Sequence, residues 1–328
     1  MGRTAGIVVA VGIVAGLLIW LTPQEARPPV GVQTVRLVPP PAGLIADLRS
    51  LAFAEEFQEA QRRLERYRDE VNQDSPVWLA AVSWVARGAS FAGQWELAER
   101  YAREVLDRSA SLLAARPLDA DAELPTAVGA AIEVLGQARD ARGDRAGAVA
   151  FLHAQRDQYA GTSIEMRIQK NVLLLSLEGT PFPVLDVEEH IGATEQTVAD
   201  LRGRVVLVYF WAHWCPDCKR QRPVLDALHA TYANRGLAII GPTQLWGYVA
   251  GGLDATPEEE LAYVRGAYQE QYPIPAWMSV PVSQQNFLEF GVSSTPTLVL
   301  LDRDGIVRLY NPGDLSYDEL AAQIERLL

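Results

Sequence analysis

The chain is short of almost every residue type that a metal or cofactor site would need. Its 328 residues include only two cysteines and four histidines, and the basic residues are nearly all arginine, with Lys170 and Lys219 the only lysines. No second cysteine pair exists to complete a structural zinc site, which takes four ligands, and the histidines are scattered. Lys219 follows Cys218, so the Cys-x-x-Cys-His pattern of haem attachment is absent. Positive charge is also scarce. The formal net charge is −12, and from Thr180 onward ten basic residues face nineteen acidic ones, which excludes nucleic acid and favours neutral or basic partners.

What is present is concentrated in Trp211-Ala-His-Trp-Cys-Pro-Asp-Cys218, directly after the apolar run Val205–Phe210. Both cysteines lie there, so any disulfide within the chain joins Cys215 to Cys218. A run that is apolar and rich in β-branched and aromatic residues reads as a strand buried on both faces. Two sulfurs with two residues between them can share the first turn of a following helix. There the free backbone N–H groups and the helix dipole favour a thiolate on the first cysteine. Pro216 suits the first helical position, where its missing N–H costs nothing. A structural role for so short a cross-link is weak, because closing it removes little unfolded-state entropy. The pair reads as redox chemistry, with Cys215 the exposed attacker and Cys218 less accessible. Asp217 lies between the sulfurs. Trp211 and Trp214 either flank the site or are ordinary packing aromatics. Lys219 either helps hold a thiolate or is simply solvated.

Further elements follow from local pattern. A helix from Cys215 to about Asn234 carries Val224, Leu225, Leu228 and Tyr232 at helical spacing, is kinked at Pro223, and ends at Gly236. Residues 237–240 form a strand, and the Gly241–Gly252 segment, with Trp246 and Tyr248, reads as a mobile loop near the active face. Thr256-Pro-Glu-Glu259 and Ser316-Tyr-Asp-Glu319 open helices with capping boxes. Residues 297–301 and 306–310 are strands joined by an Asp/Gly turn.

The motifs Gly203–Cys218, Pro223, Ser294-Thr-Pro-Thr-Leu298 and Asp302-Arg-Asp-Gly-Ile306, in this order, resemble the thioredoxin superfamily, in particular its membrane-anchored TlpA/ResA-type branch of thiol–disulfide oxidoreductases. The resemblance covers the part from about Thr180 to the end. It implies an α/β thioredoxin-like domain with a central mixed sheet flanked by helices. It also implies that Cys215 attacks a substrate disulfide, that Cys218 resolves the mixed disulfide, and that Pro296 is a cis-proline facing them. No cofactor beyond the redox-active cysteine pair is implied. Thr295 is expected to pair its backbone with an extended substrate segment, a form of strand addition, and Trp214 to lie against that substrate. Two positions depart from the family. Tyr209 stands where thioredoxins carry a buried aspartate, and Gln221 where the anchored branch usually has a glutamate, so both customary proton acceptors for Cys218 are missing. A carboxylate beside the thiols raises their pKa values and an amide does not, so Cys215 is expected to be more acidic than in relatives with the glutamate.

The remaining chain divides into residues 1–23, a membrane anchor or signal segment; 24–41, a proline-rich linker; 42–178, a helical domain; and 179–328, the redox domain. Ala5–Leu21 is uncharged and about 25 Å long as a helix, against a hydrocarbon core of ~30 Å. Arg3 and the amino terminus then remain cytoplasmic in a single-pass orientation with the domains on the periplasmic side. A cleaved signal peptide is the competing reading, but no Ala-x-Ala site follows and there is no lipid-attachment cysteine. In residues 42–178 three turn-like segments, 55–60, 93–98 and 143–148, each precede a helix with a small alanine on its packing face, a tetratricopeptide-like pattern at irregular spacing; a generic helical bundle fits as well. Trp78, Trp84 and Trp95 either line a partner-binding groove or belong to the core.

Two functions are compatible with these features. One is an exported oxidoreductase that reduces disulfides in partner proteins, as in cytochrome c maturation or metal-site assembly, supplied by a membrane electron donor. The other is a metallochaperone or scaffold in which Cys215, Cys218 and His213 hold copper and the helical domain binds a partner.

Overall fold

The computed structural model describes residues 37–328. The anchor and most of the linker expected from the sequence lie outside them; among the described residues no helix is long and apolar enough to cross a membrane.

The first part is helical: α1 (Leu44–Phe53), α2 (Phe57–Glu65), α3 (Pro76–Phe91), α4 (Trp95–Ala115), α5 (Leu124–Ala141), α6 (Arg145–Gln158) and α7 (Glu165–Ser176). The α1–α2, α3–α4 and α5–α6 turns fall on the three segments marked in the sequence, and each reverses the chain with one residue at positive φ: Glu55 (60°), Gly93 (67°) and Gly143 (84°). Ala60, Ala98 and Ala148, early in the second helix of each pair, are fully buried. A methyl side chain at these points lets the paired helices approach closely. Ser75 caps α3 by accepting from the Trp78 N–H, and Pro76 occupies its first position. Trp78 and Trp84 are core residues, together with Leu79, Val82, Val85 and Tyr101.

The second part is the α/β domain: β1 (Glu189–Ile191), β2 (Val205–Phe210), α8 (Pro216–Tyr232), β3 (Leu237–Ile240), α9 (Pro257–Tyr263), α10 (Gln269–Gln271), β4 (Val280–Val282), α11 (Gln284–Glu289), β5 (Thr297–Leu301), β6 (Val307–Pro312) and α12 (Tyr317–Glu325). The main sheet has the order β3-β2-β5-β6. β2 and β3 are parallel, whereas β5 is antiparallel to both β2 and β6, so the sheet is mixed, as expected. All six residues of β2 are buried because helices cover both faces. Val205, Leu207 and Tyr209 pack with Leu225 and Leu228 of α8 and Leu320 and Ile324 of α12. Val206, Val208 and Phe210 point the other way, toward Phe287 and Phe290. That two-residue alternation delivers the end of β2 to the head of α8.

Both capping boxes are formed, at Thr256/Glu259 and Ser316/Glu319, and α8 runs through Pro223 without interruption. The antiparallel β1–β4 pair was not foreseen, since three-residue strands are too short to display a period. The two parts of the chain meet where α11 runs into the β5 loop. Gly291, at φ +57°, sits so close to α7 that a Cβ there would lie 2.3 Å from the Lys170 backbone nitrogen. Gln169 Nε2 donates to the Glu289 carbonyl at 2.9 Å beside it.

Candidate active site

Cys215 is the N-cap of α8, Pro216 its first residue, and Cys218 lies inside the first turn. Both cysteines are free thiols. The Cys218 N–H donates to Cys215 Sγ at 3.1 Å, so the sulfur takes the place that an aspartate or serine oxygen takes in an ordinary cap. Cys215 Sγ is also 3.3 Å from the Thr295 carbonyl, and the Thr295–Pro296 peptide is cis. The geometry therefore brings Cys215, Cys218, Thr295 and Pro296 together.

Environment separates the two thiols. The Cys215 pKa falls to about 6: donation from the Cys218 thiol, helped by the Thr295 side chain and the Cys218 and Asp217 amides, outweighs the cost of burial. Cys218 is pushed strongly upward, chiefly by burial and then by its bond to Cys215. Cys215 is thus the thiolate and Cys218 the reserve thiol. One expectation is corrected: Cys215 is not the exposed member, since both are 2% exposed. The loop carrying Thr295 and Pro296 closes over the helix start, and Trp214 beside it, at 41% exposure, presents an aromatic surface to solvent.

The two unusual positions turn out to be brackets. Tyr209 is buried and its hydroxyl donates to the Cys218 carbonyl at 2.9 Å; burial, then the neighbouring Cys218, raises its pKa well above the ordinary value. It holds the first turn of α8 and stays neutral. Gln221 Nε2 donates to the Leu315 carbonyl at 3.0 Å, and its Oε1 accepts the Leu315 N–H at 2.9 Å. This pair clamps α8 to the segment before α12 and uses both ends of the amide. Gln221→Glu supplies no donor for the Leu315 carbonyl and places an acid one helical turn beyond Cys218. The variant is expected to lose roughly 1–3 kcal/mol of stability and to raise the Cys215 pKa. Denaturant melts and pH-dependent alkylation would read the two effects; an unchanged Cys215 pKa would refute the second.

Among the other flanking residues, Trp211 is buried, donates from Nε1 to the Gly241 carbonyl at 2.8 Å, and stacks on Tyr268. Asp217 pairs with Arg220 in solvent, and Lys219 lies 4.4 Å above the Tyr272 ring. A cavity of about 310 Å³ opens onto Cys218 between Tyr209, Trp211, Tyr268 and Met278.

Sequence reasoning missed Glu260. It is fully buried, accepts the backbone N–H groups of Trp246 and Gly247, and meets His213 Nε2 at 3.0 Å. The Gly241–Gly252 loop does reach the active face, where Trp246 packs edge-on against Trp214 at 5.2 Å between ring centroids. It is nonetheless pinned by this carboxylate, which corrects the reading of it as mobile. His213 is turned to Glu260 and ringed by Tyr248, Tyr263 and Tyr268, so its Nε2 is already engaged and does not join the sulfurs as a ligand. Burial lowers its pKa, with Glu260 opposing. Nothing in the run Glu258-Glu-Glu260 marks the third acid as different from its helix-capping neighbours.

A mixed sheet delivering a polarised thiol pair to a helix start, opposite a cis-proline, defines a thiol–disulfide oxidoreductase of the thioredoxin class. Residues 193–328 match the family model for a thioredoxin-like domain. The chain is 30% identical over 155 residues to a thiol:disulfide interchange protein DsbE of Pseudomonas fluorescens biotype C, covering 46% of this chain and 77% of that protein. It is 25% identical over 158 residues to the thiol-disulfide oxidoreductase ResA of Bacillus thuringiensis strain Al Hakam, covering 48% and 81%. A solved thiol-disulfide isomerase from Corynebacterium glutamicum aligns at 22% identity with a TM-score of 0.38, covering 46% of this chain and 96% of that one. Through its C-terminal domain the chain belongs to the DsbE family of thiol:disulfide interchange proteins.

Proposed function

We propose that this protein is an exported, membrane-anchored oxidoreductase that reduces disulfides in client proteins, of the kind that serve cytochrome c maturation or metal-site assembly. The observation that carries the reading is Cys215, a helix-capping sulfur with a pKa near 6 set against the Thr295 carbonyl. In the forward half-reaction the Cys215 thiolate attacks one client sulfur; the client S–S bond breaks and the second client sulfur leaves as a thiolate. Cys218 then loses its proton and attacks Cys215 Sγ, releasing the first client sulfur and leaving a Cys215–Cys218 disulfide. Two electrons pass to the client, and the released thiolates take up two protons. Neither Tyr209, a donor to a carbonyl, nor Gln221, with both amide ends engaged, can accept the Cys218 proton. Water in the cavity behind Cys218 is the acceptor in this reading.

Stabilising one thiolate favours the dithiol form and lifts the potential of the pair above that of an unperturbed dithiol. That makes the pair easier to re-reduce and a milder reductant; a membrane electron donor is still required, because the compartment outside the cytoplasm is oxidising and supplies no dithiol of its own. The uncharged run before residue 22 supports the anchor, and the three helical hairpins support a tetratricopeptide-like partner-binding module. Two measurements test the reading. Reduced protein should reduce insulin, with Cys218→Ser accumulating a mixed disulfide through Cys215. The reduction potential should lie nearer about −270 mV than about −120 mV; a value at the upper end would make the protein an oxidant and reject the proposal.

A further inference from the structure

A second site lies against the active one and plays no part in the chemistry above. Where α3, α5 and α7 face the Ser293–Ser294 turn, a cavity of about 380 Å³ opens, lined by Arg87, Thr126, Arg167, Lys170, Ser293 and Ser294. Three cations in it share one carboxylate. Glu133, 6% exposed, is 3.0 Å from Arg167, 3.4 Å from Lys170 and 3.8 Å from Arg87. Burial pushes the Glu133 carboxyl up, but Arg167, Lys170 and Arg87 outweigh it and hold the group near 2. With Glu133 ionised, the two arginines alone leave positive charge in excess, and Lys170 adds to it.

The cations show the strain of that excess. Burial lowers the pKa of both Arg87 and Lys170, and the neighbouring Arg167 lowers each further, against the pull of Glu133. Arg87 Nε is buried with no hydrogen-bond partner, while its guanidinium is held 4.3 Å over the Trp84 ring. In a chain of net charge −12, a half-buried cluster of cations with an unused donor is costly unless an anion completes it.

Its position says which anion. Ser293 and Ser294 run directly into Thr295, whose carbonyl faces Cys215 Sγ. Consecutive Cα atoms are about 3.8 Å apart, so the pocket wall is within two residues of the backbone beside the nucleophile. The contact of Gly291 with α7 fixes the turn against the helical domain. An extended client segment lying along Thr295 advances about 3.3 Å per residue, so two to four residues span about 7–13 Å, the scale of the two-residue step from Thr295 to the pocket wall.

We propose that this interdomain pocket is a specificity subsite for a carboxylate side chain of the client, an aspartate or glutamate two to four residues from the disulfide to be reduced. The proposal rests on the client-reducing reading of Cys215 and adds its substrate preference. Arginine forks suit a planar carboxylate, and the two serines supply hydroxyl donors.

The test uses the full chain, reduced, with disulfide-linked peptides carrying either Glu or Gln two, three or four residues from a cysteine. The expected result is a kcat/KM ratio of Glu to Gln of about tenfold at low salt for at least one spacing. The ratio should shrink as ionic strength rises. Arg87→Met and Lys170→Met should bring it toward one, and Arg62→Met, an exposed cation elsewhere in the helical domain, should not. Equal rates at every spacing, or a preference that survives in both pocket variants, would overturn the proposal. If neither peptide is reduced, the client-reducing reading fails instead. Calorimetric binding of the same sequences without a disulfide then decides the subsite: tighter binding of the Glu peptide supports it, equal binding rejects it. Millimolar binding of succinate with no peptide preference would assign the pocket to a free anion and also reject the proposal.

Discussion

Reduced protein treated with iodoacetamide is expected to be modified at Cys215 alone, with a rate that rises through a midpoint near pH 6 and is flat above about pH 7.5. An unperturbed cysteine, with a pKa of about 8.5, would be only ~0.3% ionised at pH 6. A Cys215 half ionised there is roughly 150-fold richer in thiolate, the reacting form. The sign follows from the direction of the shift. A depressed thiol pKa means that the reactive form persists to lower pH and is lost only as pH falls through about 6. The low exposure of Cys215 slows the absolute rate but leaves the midpoint where it is, because access does not titrate. Cys218, whose pKa burial and its partner push upward, should stay unmodified throughout. Donation from the Cys218 thiol does most to lower the Cys215 pKa, so Cys218→Ala should move the midpoint toward the ordinary value. Mass spectrometry of the alkylated peptide across pH 4–9 reads both results. A wild-type midpoint above about 8 would show that the helix start does not polarise this sulfur, and would remove the basis for calling Cys215 the attacker.

The sequence already located that sulfur, because everything that places it is local. A doubly buried strand, a proline at the first helical position and a cysteine before it are signals contained in a dozen residues. The two capping boxes and the three hairpin turns with their buried alanines were legible for the same reason. What escaped is held by pairings across long stretches of chain. Gln221 looked like a missing acid until Leu315 appeared opposite it, using both ends of its amide. Arg87 and Lys170 are unremarkable helix residues until α3 and α7 converge on the turn before Thr295. Cys215 was expected to be open because helix starts usually are; the loop of Thr295 and Pro296, some eighty residues on, covers it. The sequence could name the reacting atoms, but it could not show what closes around them.

Glu260 is the clearest case of that kind, and removing it is expected to have the largest effect on stability. One buried carboxylate accepts two backbone N–H groups of the loop after β3 and holds His213, two residues before the nucleophile. Glu260→Ala would take away the partner of both amides and of His213 inside a buried site, and only the Gly247 amide, on an exposed residue, could turn to water instead. Breaking a buried charged network in this way costs about 3–5 kcal/mol, or on the order of 10 °C in Tm for a domain of this size. Glu260→Gln should cost less, because its Oε1 can still accept from Trp246 and Gly247. His213→Ala should also cost less than Glu260→Ala, because the carboxylate keeps its two amide donors. If the two side chains act as a unit, the double variant will be destabilised by less than the sum of the single ones. Denaturant unfolding of the four proteins tests this, and a Glu260→Ala variant within about 1 kcal/mol of wild type would show that the loop does not depend on the carboxylate. The active-site consequence follows from geometry: Trp246 packs against Trp214, so a loop released from Glu260 takes away the support of the one aromatic surface that a client meets beside Cys215.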